Sequence, residues 1–226
     1  APEGTVALAA GEVIELRLDP RQQLAALRVE AGDWAALVEN RHVIEAEEGV
    51  VILSARAAQS LQSSVIRQSG SIRARGIRRE GGRILLDAGP GGRVEQAGTL
   101  DVSSAVADGG TVIIEAEAIH LQAGSRIDAR GAGDGGTVLV GGDWQGGDEP
   151  SLSVLANDPD VAEAAALLND PGVQEAVTVV MDAGAVIDAS AGEQGDGGTV
   201  VLWSDIDNPA SLTRVAGTLL ARGGLS

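Results

Sequence analysis

The sequence predicts an all-β fold, a solenoid of short parallel strands wound into coils. Three observations predict it. A glycine-led strand element recurs along the chain, its spacing settles at 26–28 residues, and the core has to be aliphatic. The 226 residues include no Phe, no Tyr, three Trp and 32 Gly. That glycine content is about twice the ordinary usage of roughly 7%. Val, Ile, Leu and Ala must therefore fill many thin, similar layers. The length allows one large domain, residues 1–226.

The first repeated element is an acidic residue, glycine, then an apolar strand. Glu3-Gly4-Thr5-Val6-Ala7-Leu8 reads as its first copy, followed by Glu48-Gly49-Val50-Val51-Ile52-Leu53. It returns as Glu80-Gly81-Gly82-Arg83-Ile84-Leu85-Leu86, Asp108-Gly109-Gly110-Thr111-Val112-Ile113-Ile114 and Asp134-Gly135-Gly136-Thr137-Val138-Leu139-Val140. The last copy is Asp196-Gly197-Gly198-Thr199-Val200-Val201-Leu202. A second element, glycine before a shorter strand, opens at Gly70, Gly98, Gly124, Gly184 and Gly217.

From Gly70 to Gly82, Gly98 to Gly110 and Gly124 to Gly136 is 12 residues each time. Gly70 to Gly98 is 28 residues and Gly98 to Gly124 is 26. A unit of that size with two or three short strands is too short for a βαβ unit and suits one solenoid turn. Each strand then pairs in parallel with its counterpart one coil later, about 4.8 Å away. The Asp-Gly-Gly steps are expected as corners, with glycine tolerating positive φ and Asp bonding the turn backbone.

Insertions interrupt the coils. Gly124 to Gly184 is 60 residues, and the excess lies at about 143–176. Asp158-Pro159-Asp160 before Val161–Leu168 reads as a capped helix stopped by Pro171-Gly172. Ser54–Leu61 and Asp33–Asn40 are two further helical candidates.

Composition excludes several functions. Without Cys there is no disulfide framework, thiol chemistry or Cys-type zinc site. With 16 Lys+Arg against 33 Asp+Glu, the net charge of −17 repels nucleic acid. All 16 basic residues are Arg. No 18-residue apolar run exists, so no membrane span is expected. Ala1-Pro2-Glu3-Gly4 lacks the basic and apolar stretches of a signal peptide, so a removed signal or a longer parent is expected.

Leu37-Val38-Glu39-Asn40, Ile44-Glu45-Ala46 and Gly49–Ala55 precede the Gly-Gly strand series. After it come Gly141-Gly142-Asp143-Trp144-Gln145-Gly146, Asp196–Asp205 with its Leu202-Trp203-Ser204-Asp205, and Ala216–Gly224. This order resembles the filamentous-haemagglutinin-like exoproteins, the secreted partners of two-partner secretion, over nearly the whole chain. The resemblance implies a right-handed parallel β-helix, export through an outer-membrane secretion pore partner, and a fibrous adhesive shaft at the bacterial cell surface. A host-cell or matrix glycan or protein receptor is implied as a further partner. That family's amino-terminal secretion domain carries an Asn-Pro-Asn-Gly type motif, and none is found here, so an internal shaft segment is expected. The resemblance carries over no catalytic, cofactor-binding or metal-binding residue.

Stacked coils should align Arg73, Asp101, Asp128, Asp188 and Leu220 in one outward row. A bridging cation is conceivable there, but a solvated ladder with Arg73 capping Asp101 is favoured. Asp108, Asp134 and Asp196 form a second row, explained by turn chemistry before calcium. Trp144 and Trp203 could stack on a sugar ring, yet capping the core or covering the inserted helix fits them better. Only His42 and His120 are available for acid–base work, and His120 is expected to face solvent. Gly131-Ala132-Gly133-Asp134-Gly135-Gly136 has dinucleotide-like glycine spacing but opens a strand, so it is rejected. Arg73, Arg75, Arg78 and Arg79 form the one basic cluster, read as neutralising Glu80 and Asp87 in preference to an anionic glycan.

The sequence therefore points to a right-handed parallel β-helix of about five or six coils with short helical insertions. It is expected to act as a non-catalytic structural and adhesive segment of a secreted exoprotein, with a carbohydrate-binding or polysaccharide-cleaving β-helix as the alternative. An open terminal coil exposes unpaired backbone groups, so end-to-end self-association is expected.

Overall fold

The computed structural model describes residues 4–18, 24–33, 35–57, 64–78, 81–147, 153–167 and 174–224. The chain winds through six coils, and each coil gives one strand to each of three parallel six-stranded sheets. The first coil holds β1 (Thr5–Ala10), a hairpin of β2 (Val13–Leu18) and β3 (Leu24–Glu30), then β4 (Ala36–Asn40) and β5 (Val43–Glu45). The second holds β6 (Val50–Ala55), β7 (Ser64–Gln68) and β8 (Ser71–Arg73). The third holds β9 (Arg83–Asp87), β10 (Arg93–Gln96) and β11 (Thr99–Asp101). The fourth holds β12 (Thr111–Glu115), β13 (Ala118–Leu121) and β14 (Arg126–Asp128). The fifth begins with β15 (Thr137–Val140) and passes through a 3-10 turn and the helices α1 (Val154–Asn157) and α2 (Pro159–Ala166). It ends with β16 (Thr178–Met181) and β17 (Val186–Asp188). The sixth holds β18 (Thr199–Leu202), β19 (Leu212–Val215) and β20 (Thr218–Leu220). The parallel β-helix expected from the repeat is thus observed, with six coils.

The three sheets differ in how they are buried, and the sequence pattern says why. In the sheet of β1, β6, β9, β12, β15 and β18, one column faces the axis: Val51, Ile84, Val112, Val138 and Val200. The neighbouring column, Ile52, Leu85, Ile113, Leu139 and Val201, points outward but is equally buried. Leu27 of β3 and Val161 of α2 cover it. Burial on both faces requires continuous apolar runs, which is what the Val50–Leu53 and Ile84–Leu86 segments supply. The other two sheets keep an open outer face and alternate, as in the buried-exposed-buried start of β4. Uncovering the outer column would forfeit roughly 1.5–3 kcal/mol per large side chain. The insertions are therefore part of the core and not ornaments on it. They also meet each other, since the Leu27 N–H donates to the Leu167 carbonyl at 2.8 Å.

The corner glycines serve a different purpose from the expected one. Gly82, Gly110, Gly136 and Gly198 are not among the positive-φ glycines. Instead they stack, and a Cβ on Gly110 would sit 2.1 Å from the Gly82 carbonyl oxygen. Close approach between coils, not backbone handedness, excludes a side chain. Positive φ appears at two of the five second-element starts, Gly124 (φ 85°) and Gly184 (φ 86°).

A polar column ends the inner face of the second sheet. Asn40, Gln68 and Gln96 stand in register across three coils. Asn40 Nδ2 donates to Gln68 Oε1 at 2.7 Å, and the Gln68 and Gln96 amides donate to the Gly70 and Gly98 carbonyls at 3.0 Å. The next residues in the column are Leu121 and Met181, so Gln96 Oε1 is left without a donor.

The helix expectations divide. The capped helix is present: Asp158 Oδ1 accepts the Val161 N–H at 3.4 Å, and Pro159 is its first residue. Its expected end, Leu168, and the Pro171-Gly172 stop lie outside the described residues. The other two candidates are corrected. Ala36–Asn40 is strand β4, and Trp34 lies outside the described residues. Ser54 and Ala55 end strand β6 and Ala57 bridges to Gly32, while Ala58–Leu61 lie outside the described residues. Alanine-rich stretches favour helix intrinsically, but parallel pairing to the adjacent coil overrides that preference here.

Candidate functional site

The outward carboxylate row exists, with its partners rearranged. Register aligns Glu45, Arg73, Asp101, Asp128, Asp188 and Leu220 along the outer face of the third sheet. Arg73 does not cap Asp101. It turns to the preceding coil and meets Glu45 at 2.7 Å, while Arg75 lies 3.9 Å from Asp101. Asp128 receives Arg130 at 2.7 Å and Arg126 at 3.1 Å, and both also reach Asp188, at 3.8 and 3.7 Å. Two guanidiniums thus stand between the two stacked carboxylates, where a cation had been conceivable. The signal was legible: Arg126 and Asp128 share one face of β14, and Arg130 follows at the same spacing just past its end. Burial pushes the Asp128 carboxyl up, but hydrogen bonds from Arg130 and Arg126 outweigh it and hold the group below the usual carboxylate value. The turns after these strands are bonded the same way, with Asp101 Oδ1 and Asp188 Oδ1 accepting the Ser103 and Ser190 N–H groups at 3.1 Å.

The corner row interlocks coils. Asp108 Oδ1 accepts the Asp134 N–H at 2.8 Å, and Asp134 Oδ1 accepts the Asp196 N–H at 2.8 Å. In return the Asp134 carbonyl accepts the Gly109 N–H at 3.0 Å. The carboxylates bond the next coil's backbone and not their own turn. The Gly131–Gly136 segment belongs to this corner and leads into strand β15.

Two guanidiniums of the basic cluster, Arg73 and Arg75, pair with glutamates of the preceding coil. Arg75 Nη2 donates to Glu47 Oε1 at 2.6 Å, and the Arg78 backbone N–H donates to Glu48 Oε1. Arg79 and Glu80 lie outside the described residues. Asp87, the other expected partner, is buried and bonded by Arg56 at 2.7 and 3.1 Å, with Ser54 Oγ and the Gly89 N–H completing its shell.

Trp144 and Trp203 pack on each other, centroids 6.3 Å apart at 40°. Trp203 also lies against the outer apolar column and over Gly142. Asp143 fastens the insertion, with Oδ1 accepting the Trp144 and Val154 N–H groups at 2.7 and 2.9 Å and Oδ2 the Ser153 hydroxyl at 2.6 Å. The Gly141–Gly146 motif is therefore an architectural joint.

The remaining polar face is the outer side of the second sheet. Glu39, Arg67, Glu95, His120, Val180 and Arg214 line up there in register. A shallow depression of about 300 Å³ is lined by Arg93, Glu95, His120, Asp182 and Arg214 over small residues. His120 faces out as expected, and its Nε2–H donates to Asp182 Oδ2 at 2.8 Å. No hydroxyl bonds His120 among the described residues, and His42 lies in the turn before β5, three coils away. Asp182 follows its strand and gave no sequence signal. The arrangement can bind polar groups by hydrogen bonding and charge, but it pairs no nucleophile with a base. No cluster of three or more His, Cys, Asp or Glu is positioned to hold a metal ion among the described residues. No helix is long and apolar enough to cross a membrane among them.

No protein-family model and no curated protein matches the sequence. Among solved structures, the fold is similar to the crystal structure of the HMW1 secretion domain from Haemophilus influenzae. The TM-score is 0.72 at 22% identity, over 100% of this chain. The chain spans about half of that structure, 50%.

Proposed function

We propose that this chain is a segment of a secreted bacterial exoprotein of the two-partner secretion kind, acting as a non-catalytic structural shaft. One coincidence carries the reading. The six-coil helix resembles a secretion domain along its whole length. Independently, Gly141–Gly146 and Leu202–Asp205 resemble filamentous-haemagglutinin-like exoproteins. The sequence favours an internal shaft and the neighbour is a secretion domain, so an exoprotein segment is what both support. Each coil bonds mainly to its neighbours, so the helix can form stepwise as a chain emerges from a pore. The absence of Cys leaves no disulfide to obstruct passage.

The partners of this reading are an outer-membrane pore during export and a glycan or protein receptor for the displayed faces. Antibody to this chain should label intact producing cells or the medium only when the pore gene is present. Retention inside cells with the pore expressed would overturn the export reading. A panel of polyuronates and neutral glycans should be bound or ignored without cleavage. Turnover of any of them would establish the enzyme alternative.

A further inference from the structure

Among the described residues the hairpin β2–β3 is the one antiparallel unit, and its sheet has two strands. Its apolar side carries Ile14, Leu16 and Leu18 on β2, with Val29 and Leu27 of β3 opposite Ile14 and Leu16. Leu27 is 2% exposed because β3 lies over the outer column of the first sheet. Ile14, Leu16 and Leu18 are 47%, 59% and 50% exposed, so β2 overhangs the core. An overhanging apolar edge strand is an open template for another strand.

The sequence of β2 indicates which strand fits. Val13-Ile14-Glu15-Leu16-Arg17-Leu18 is self-complementary about Leu16 when run antiparallel to itself. Leu16 then faces Leu16 of the second copy, Ile14 faces Leu18, and Glu15 faces Arg17. Arg17 has no salt bridge among the described residues, and Glu15 has only Arg28 at 3.7 Å. The hairpin's irregularity falls on the β3 side, where Leu18 pairs with Leu24 and Ala25 is skipped. The outer edge of β2 is therefore continuous.

We propose that β2 is a two-fold dimerisation edge that joins two copies of this chain into a four-stranded antiparallel sheet. The contact is isologous, so it closes at two copies. Each dimer gains two Glu15–Arg17 pairs and a continuous apolar row of six side chains.

Charge exchange tests it. Glu15→Arg or Arg17→Glu alone sets like charges opposite each other at both ends of the contact. Each should weaken self-association about tenfold in sedimentation equilibrium. Mixing the two variants should restore a dimer, because each then complements the other. The chain has no Cys, so Leu16→Cys provides a second measurement. Directly opposed residues lie within disulfide range, and a covalent dimer should form much faster than for Leu37→Cys, which is also exposed. A monomer at every concentration would overturn the proposal. So would association, including end-to-end stacking, that ignores the charges at 15 and 17, or equal cross-linking of the two Cys variants.

Discussion

The Asp134 backbone N–H donates to the Asp108 carboxylate of the preceding coil at 2.8 Å, and Asp196 repeats the bond to Asp134. The repeated acidic corner is thus a stitch between coils. Asp134→Ala removes one acceptor and leaves the Asp196 N–H to solvent. It should lower stability by about 0.5–1.5 kcal/mol in denaturant melts. Asp134→Asn keeps an oxygen acceptor and should cost less.

Two glycine substitutions should separate crowding from conformation. Gly110→Ala places a Cβ 2.1 Å from a backbone oxygen that cannot move without its sheet. A loss above about 4 kcal/mol, or failure to fold, is expected. Gly124→Ala meets nothing within 4 Å but holds φ 85°, so a loss of about 1–2 kcal/mol is expected. Denaturant midpoints of the two variants measure the difference.

Asp87 should be intolerant of losing its cation. Burial pushes its carboxyl up, and Arg56, the Gly89 N–H and the Ser54 hydroxyl pull against that. Arg56→Ala should cost about 3–5 kcal/mol by stranding a buried carboxyl. Replacing both partners by apolar residues, Arg56→Met with Asp87→Leu, should recover only part of the loss in the same melt, because the buried Gly89 N–H and Ser54 hydroxyl lose their acceptor.

Acid sensitivity should trace to Asp128. Its folded pKa is below the ordinary 3.8, so the linked stability is present above that value. It is lost as pH falls through the lower folded value. Asp128→Asn should be less stable than the parent at neutral pH and show a shallower loss below about pH 4. Equal acid slopes for the two proteins would refute this assignment.

The polar column predicts unequal amides. Asn40→Leu leaves Gln68 Oε1 buried without its donor and should cost about 1–3 kcal/mol. Gln96→Leu removes an oxygen that has no donor, and the Gly98 carbonyl still accepts the Arg126 N–H at 3.0 Å. Its cost should stay within about 1 kcal/mol, read from the same denaturant midpoints.

The sequence by itself determined the winding. Period and alternation fix which residues stack, because parallel pairing one coil apart turns a 26–28-residue repeat into columns such as Ile84 on Val112. It also gave the Asp158-Pro159 cap, a purely local device. Tertiary structure alone decided what lies across the columns. Arg73 chooses Glu45 over Asp101 because both neighbours are one coil away, and only side-chain geometry separates them. Ala36–Asn40 is a strand because it pairs in parallel with Ser64–Gln68 of the next coil, whatever its alanines prefer locally. The hairpin and the helices cover one outer face because a sheet that is apolar on both sides needs a lid, and which distant segments supply it is not a property of the repeat.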